Sequence, residues 1–184
     1  MTEKKIPFVG LHAHSVAGSI FDAIGYPDEH MDFCYENGGE ALALTDHGNM
    51  NGFSHQFLHW QKMKDEGKEF KPIFGVEAYF LPSIEEWRDD YERIKEDKKL
   101  AKSLAKQGDT SGATVEDEDA SKKAIKSVIN RRRHLVLLAQ NQTGLNNLFK
   151  LISASYREEN FYRYPRLDYK MLAEHSEGVI AASA

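Results

Sequence analysis

The sequence predicts an α/β fold in which short buried strands alternate with helices around a largely parallel sheet or barrel. Three observations carry that expectation. Nearly continuous apolar runs recur at 8–11, 41–44, 73–76, 135–139 and 179–182, as in strands covered on both faces. Segments with helix start and stop signals lie between them. Several of the runs end in imidazole and carboxylate side chains, which is where functional groups collect in such folds, beyond the carboxyl ends of the strands.

Taken in order, the first helix starts at Pro27 with Asp28 and Glu29 and runs to the stop Asn37-Gly38-Gly39. Residues 51–66 form the next and end near Gly67. Thr143 is placed to cap a helix whose Leu145, Leu148, Phe149 and Ile152 share one face, and Asp168 to cap a short one through Leu172. Residues 83–130 differ in character, with 22 charged side chains of both signs among 48 residues. Ile84, Trp87, Tyr91, Ile94, Ala101 and Leu104 recur there at helical spacing, as do Ala124, Ile125, Val128 and Ile129. The stretch 108–119 has no apolar period and reads as a mobile tip. A charged helical insertion, a hairpin inside one domain of 1–184, is the resulting expectation. It is either a solvated excursion or, given Trp87 and Tyr91, a partner-binding arm.

Composition bounds the function. A chain of 184 residues with 41% hydrophobic content is long enough for one domain with a real core. No stretch approaches the ~20 apolar residues of a membrane span, and no signal-peptide core is present. The lone Cys34, in the apolar stretch 31–35, excludes an internal disulfide framework and reads as a small core side chain. A cytoplasmic setting without membrane contact is expected. The net charge of −5 argues against bulk electrostatic grip on nucleic acid, so any such contact needs a local basic patch or bound metal.

Three coincidences point to metal. His12 and His14 stand two residues apart, on the same side of an extended segment. Thr45-Asp46-His47-Gly48-Asn49 follows a second apolar run, and Glu77 follows a third, Pro72 to Val76. His12, His14, Asp46, His47 and Glu77 are therefore expected at one rim of the sheet. Imidazole with carboxylate suits zinc, manganese or iron. His55 and His59 are four apart on a helix but lack a third ligand nearby, and His30 and His175 read as surface or helix-end residues. Arg131, Arg132 and Arg133, with Arg157, Arg163 and Arg166 among Tyr156, Phe161, Tyr162 and Tyr164, suit a nucleotide or simply cover surface.

The phrases FVGLHAHS (8–15), ALALTDHGNMNG (41–52), KPIFGVEAYFL (71–81), HLVLLAQN (134–141), TGLNNLFKLI (143–152), FYRYPRLD (161–168) and SEGVIAASA (176–184) resemble the PHP (polymerase and histidinol phosphatase) family. Within it they resemble the N-terminal part of bacterial-type DNA polymerase III alpha subunits. The likeness covers nearly all of the chain outside 83–130. It implies a distorted (β/α)7 PHP barrel holding up to three metals. By position, His12, His14 and Glu77 would hold the first, Glu77 as a bridge and His134 the second, and Asp22 and His47 the third. Asp46 would orient its neighbours, so Glu77 and Asp46 are the candidates for the catalytic work. His134 stands ahead of its apolar run, and the residues alone do not single it out.

The resemblance also implies a role. The reaction it implies is phosphoester hydrolysis, as 3′–5′ exonuclease proofreading beside a replicative nucleotidyltransferase. The family adds a cysteine and an Asp-x-His pair beyond the phrase that ends at Ala184. The chain is thus expected to be a barrel truncated at its C-terminus: a fragment, a split-gene product or one side of an intein junction. Its partners would be the rest of the alpha subunit or a complementing C-terminal fragment, DNA, and other replisome proteins. Two alternatives stay open, a non-catalytic docking module and a free-standing phosphoesterase of the histidinol-phosphatase type. TDHGNMNG and FYRYPRLD favour the polymerase branch.

Overall fold

The computed structural model describes residues 8–106, 123, 126–128 and 131–184. Among them are helices α1 (Pro27–Glu36), α2 (Phe53–Asp65), α3 (Ile84–Lys106), α4 (Gln142–Ser155) and α5 (Tyr169–Glu174). The strands are β1 (Ala41–Leu44), β2 (Lys71–Phe80), β3 (Arg133–Ala139), β4 (Phe161–Tyr162), β5 (Tyr164–Leu167) and β6 (Val179–Ser183). The expected alternation of strand and helix is present, but the sheet is mixed.

The ten-residue β2 organises it. Its first half pairs in parallel with β1, from Ala41↔Lys71 to Leu44↔Phe74. Its second half pairs antiparallel with β3, from Gly75↔Leu138 to Phe80↔Arg133, and in parallel with β5 at Tyr79↔Arg166 and Phe80↔Leu167. β6 extends β3 antiparallel, and β4 with β5 forms a tight antiparallel hairpin. The largely parallel sheet expected from the sequence is therefore corrected. Apolar runs report burial of a strand and carry no record of its direction. The sheet stays open, because among the described residues no strand joins β6 back to the N-terminal segment.

The run 8–11 is not a strand. It meets β1 only through a bridge between Gly10 and Leu42, and Phe8 and Leu11 are 79% and 51% exposed. Even so, hydrogen bonds from Ala43 N to Gly10 O (2.8 Å) and from Thr45 N to Ala13 O (2.7 Å) lay residues 10–14 along the flank of β1.

Strand alternation sorts the side chains of β2. Val76 and Ala78 face α4 and form the main core with Leu137, Leu148, Leu151 and Leu167. The cap of α4 is Asn141, whose side chain accepts from Gly144 N at 2.9 Å, two residues before the Thr143 expected for that role. Asn141 is in extended conformation, where its oxygen reaches the free amide, whereas Thr143 already lies inside the first turn. Gly144 then packs so closely on the Gly178 carbonyl that a Cβ would collide with it. Asp168 caps α5 as expected, accepting from Met171 N at 3.0 Å.

α3 is docked at its base. Trp87 is 4% exposed and packs with Leu81, Ile84 and Val128, and its Nε1 donates to Val128 O at 2.7 Å. Arg166, fully buried, lies with its guanidinium carbon 4.1 Å from the Trp87 ring centroid and donates to Tyr162 O and Tyr164 O. Burial lowers its pKa to about 10. Trp87 is thus core and unavailable to a partner, and Arg166 is equally unavailable to a nucleotide. Tyr91, half-buried, stacks on Trp87. The expected tip at 108–119 lies outside the described residues. No helix among the described residues is long and apolar enough to cross a membrane.

Trp87→Ala is expected to cost about 3–5 kcal/mol of unfolding free energy, as for other large core truncations, measured by urea denaturation. A loss no larger than that of an exposed-site control such as Glu85→Ala would contradict the buried docking of α3.

Candidate metal centre

Three neighbouring segments deliver the site. Residues 10–14 flank β1; the chain beyond β1 continues beside β2; and β3 lies on the far side of β2. The second contact is made by Glu77 N donating to Asp46 O (3.1 Å) and Gly48 N donating to Glu77 O (2.8 Å), a parallel bridge that sets His47 against Glu77. On the third, β3 runs antiparallel to β2. Its first residues therefore reach the edge where β2 ends, and His134 comes opposite Tyr79. A parallel strand would have carried His134 to the opposite end of the sheet.

Glu77 is the centre of the cluster. It is 3% exposed and lies inside β2, three residues short of the strand end, where the sequence placed it beyond the end. Its Oε2 is 2.7 Å from His12 Nε2, 3.1 Å from His14 Nε2 and 3.2 Å from His47 Nδ1. Its Oε1 is hydrogen-bonded to His134 Nδ1. His47 Nε2 in turn meets Asp22 Oδ2 at 2.6 Å. His14 and His47 stack at 4.3 Å between centroids.

All six side chains that the resemblance named as metal ligands thus share one site. They fall into three overlapping groups whose ligand atoms lie within 4.8 Å of one another: His12, His14 and Glu77; His14, Asp22 and His47; and His47, Glu77 and His134. His14 and His47 join groups that the positional carry-over had left as pairs.

Electrostatics follows from this crowding. Burial pushes the Glu77 carboxyl up, and hydrogen bonds from His12 and His134 with the nearby His47 more than offset it, so the net shift is downward. Burial and His47 hold His14 below the ordinary imidazole value. His14 is therefore biased toward carrying a lone pair rather than a second proton. The Nδ1 atoms of His14 and His47 are buried without a hydrogen-bond partner. Four imidazoles and two carboxylates with unspent nitrogen donors fit a zinc-, manganese- or iron-type cation. They fit magnesium or calcium poorly, since those prefer oxygen alone.

Asp46 faces away from the cluster. Its 3%-exposed carboxylate accepts from Ser15 N (2.6 Å) and Ser15 Oγ (2.8 Å), pinning the turn that follows His14. Ser19 acts on the other side, its hydroxyl accepting from His47 N at 3.0 Å. The sequence reading assigned no role to Ser15, Ser19 or Tyr79. Tyr79 had a usable signal, since it follows Glu77 by two residues on a strand and shares its face.

Other sequence candidates lie elsewhere. His59 pairs with Asp32 at 2.8 Å, and the His55 ring lies 6.1 Å from that of Tyr26. Cys34 is half-buried, and burial pushes its thiol pKa up. Arg131 pairs with Asp90 at 2.7 Å, while Arg163 is exposed at the β4–β5 turn with φ 61°.

Four imidazoles and two carboxylates at one sheet edge make this a candidate metal site. The PHP domain family matches residues 10–184, and the chain belongs to it. It is 33% identical over 177 residues to DNA polymerase III subunit alpha of Aquifex aeolicus, covering 96% of this chain and 12% of that protein. The same subunit of Treponema pallidum is 33% identical over 181 residues, covering 98% of this chain and 12% of the relative. That of Helicobacter pylori (strain 26695) is 36% identical over 149 residues, covering 81% and 9%. The chain therefore spans about an eighth or less of these relatives. A solved amidohydrolase from Chromobacterium violaceum overlays on 79% of this chain and 34% of its own, with 15% identity and a TM-score of 0.38, too distant to bear on function.

Asp46→Ala strands two buried donors of Ser15, and about 1–3 kcal/mol of stability is expected to go with them. Chemical denaturation of the single and Ser15→Ala/Asp46→Ala variants checks this. Strictly additive losses would show that the two residues do not act as a pair.

Proposed function

We propose that this chain is the N-terminal PHP module of a DNA polymerase III alpha subunit, and that its cluster holds divalent cations for phosphoester hydrolysis. The single observation that carries the reading is the buried Glu77 carboxylate met by four imidazoles. An unpaired carboxylate at that depth is costly, and a fold that needed only packing there would use an apolar side chain. The identity to alpha subunits over nearly the whole chain supports the polymerase branch of the family.

In this reading His12, His14 and Glu77 would hold one ion and His47, Glu77 and His134 a second, with Glu77 shared. A neutral imidazole has one lone pair, so Asp22 would hold an ion with His14 or His47 only where that ring serves this group instead. Bound, such ions supply Lewis acidity and a water acidified toward neutral pH. The chain's own residues do the rest. Glu77 ties the groups together, Asp46 fixes the turn after His14 through Ser15, and Ser19 holds the backbone of His47. The substrate would be the 3′ end of a DNA strand, with the polymerase and replisome as partners in the cytoplasm. Further strands beyond β6 would complete the sheet as a distorted β/α barrel, and the helical segment within 83–130 would project from it as an insertion.

Titration with zinc, manganese or iron(II) is expected to raise the melting temperature reversibly, with EDTA restoring the original value. At a hundredfold excess over Kd the gain is about 2.7 kcal/mol per site. Glu77→Ala should abolish most of it, together with metal-dependent cleavage of an aryl phosphodiester or a 3′-labelled oligonucleotide. A melting temperature that none of the three metals moves would overturn the proposal.

A further inference from the structure

One ring beside the cluster is unused by the proposed chemistry. Tyr79 follows Glu77 by two residues on β2 and is the cross-strand partner of His134, so its side chain shares the face of both. Its ring lies parallel to that of His47, 5° between planes and 6.0 Å between centroids. It stands edge-on to His134, at 85° and 5.2 Å. Both imidazoles of the His47–Glu77–His134 group therefore lean on one ring.

That ring is itself clamped. Tyr164 meets it at 65° and 5.1 Å. The Arg132 guanidinium carbon lies 5.3 Å from the Tyr79 centroid and 3.9 Å from that of Tyr164, spanning the two. Gly48, with φ of 65°, brings the loop so near that a Cβ there would stand 3.1 Å from Tyr79 Cε2.

An imidazole presents its lone pair in the plane of the ring, so whatever fixes the plane fixes the direction of coordination. A ligating histidine ordinarily receives this control from a hydrogen bond at its other nitrogen. His47 faces Glu77 through Nδ1, at 3.2 Å, and its Nε2 meets Oδ2 of the half-exposed Asp22 at 2.6 Å. A contact at one ring atom leaves the ring free to turn about it, and the stacked Tyr79 ring is what restricts that turn. We propose that Tyr79 is a positioning residue whose clamped ring sets the planes of His47 and His134, and so aims both at one shared cation. This rests on the reading that the group holds a cation, and it adds the ring that orients it.

The test is cobalt(II) titration of the full chain, read by the visible absorption band and the binding isotherm, in wild type, Tyr79→Leu, Tyr79→Phe and Arg132→Gln. Tyr79→Leu is expected to shift the band and weaken one ion by about tenfold, at the lower end of what orienting neighbours contribute. Tyr79→Phe keeps the ring and should match wild type, while Arg132→Gln loosens the clamp and should move the band the same way by less. A wild-type band and affinity in Tyr79→Leu would overturn the proposal, as would Tyr79→Phe behaving like Tyr79→Leu. If Tyr79→Leu does not fold, an unchanged band in Arg132→Gln overturns it. Wild type without any cobalt band would remove the cation reading itself, a failure distinct from these.

Discussion

A carboxylate buried at the centre of four imidazoles constrains everything around it. Glu77 is 3% exposed, and its two oxygens are shared among His12, His14, His47 and His134. Its burial opposes the charge it carries, so it depends on its neighbours for compensation. That requirement explains why so many surrounding contacts serve to hold loops in place. The segment 10–14 is laid against β1 by backbone hydrogen bonds, the turn after it is pinned by Asp46, and the chain beyond β1 is bridged to Glu77.

The direction of β3 matters as much as its composition. In a parallel βα succession, the start of each strand lies at the end of the sheet opposite the functional rim. Here β3 returns antiparallel to β2, so residues at its start, Arg132 through His134, stand at the rim beside the end of β2. The face of β2 that carries Val76 and Ala78 is spent on the core with α4, while the face that carries Glu77 and Tyr79 is spent on the site. One strand thus serves stability and chemistry on alternate residues.

Much of this was legible in the sequence. Pro27 and Asp168 marked helix starts correctly, and the run 41–44 marked β1, because caps and short buried strands depend on nearby residues. His47 and Glu77 were recognisable because one follows and the other lies within an apolar run that forms a strand, and His12 and His14 because they stand two residues apart after another apolar run. Asp22 and His134 came from family resemblance alone, since nothing local distinguishes an acid in a loop or an imidazole ahead of a strand. What was not legible depended on long-range pairing. The run 8–11 looked buried and is exposed, the direction of β3 leaves no local trace, and Trp87 resembled a partner anchor until its contacts with Ile84 and Val128 were visible. Asp46 was expected at the rim with the ligands, but its carboxylate is bonded to Ser15, through a turn no local pattern encodes.

The most direct measurement of the central claim is anomalous diffraction from crystals of this chain grown with manganese. The account predicts anomalous peaks within coordination distance of Glu77 and at least one imidazole among His12, His14, His47 and His134. Peaks only at surface carboxylates, or density showing these side chains turned away from one another with ordered water between them, would contradict it.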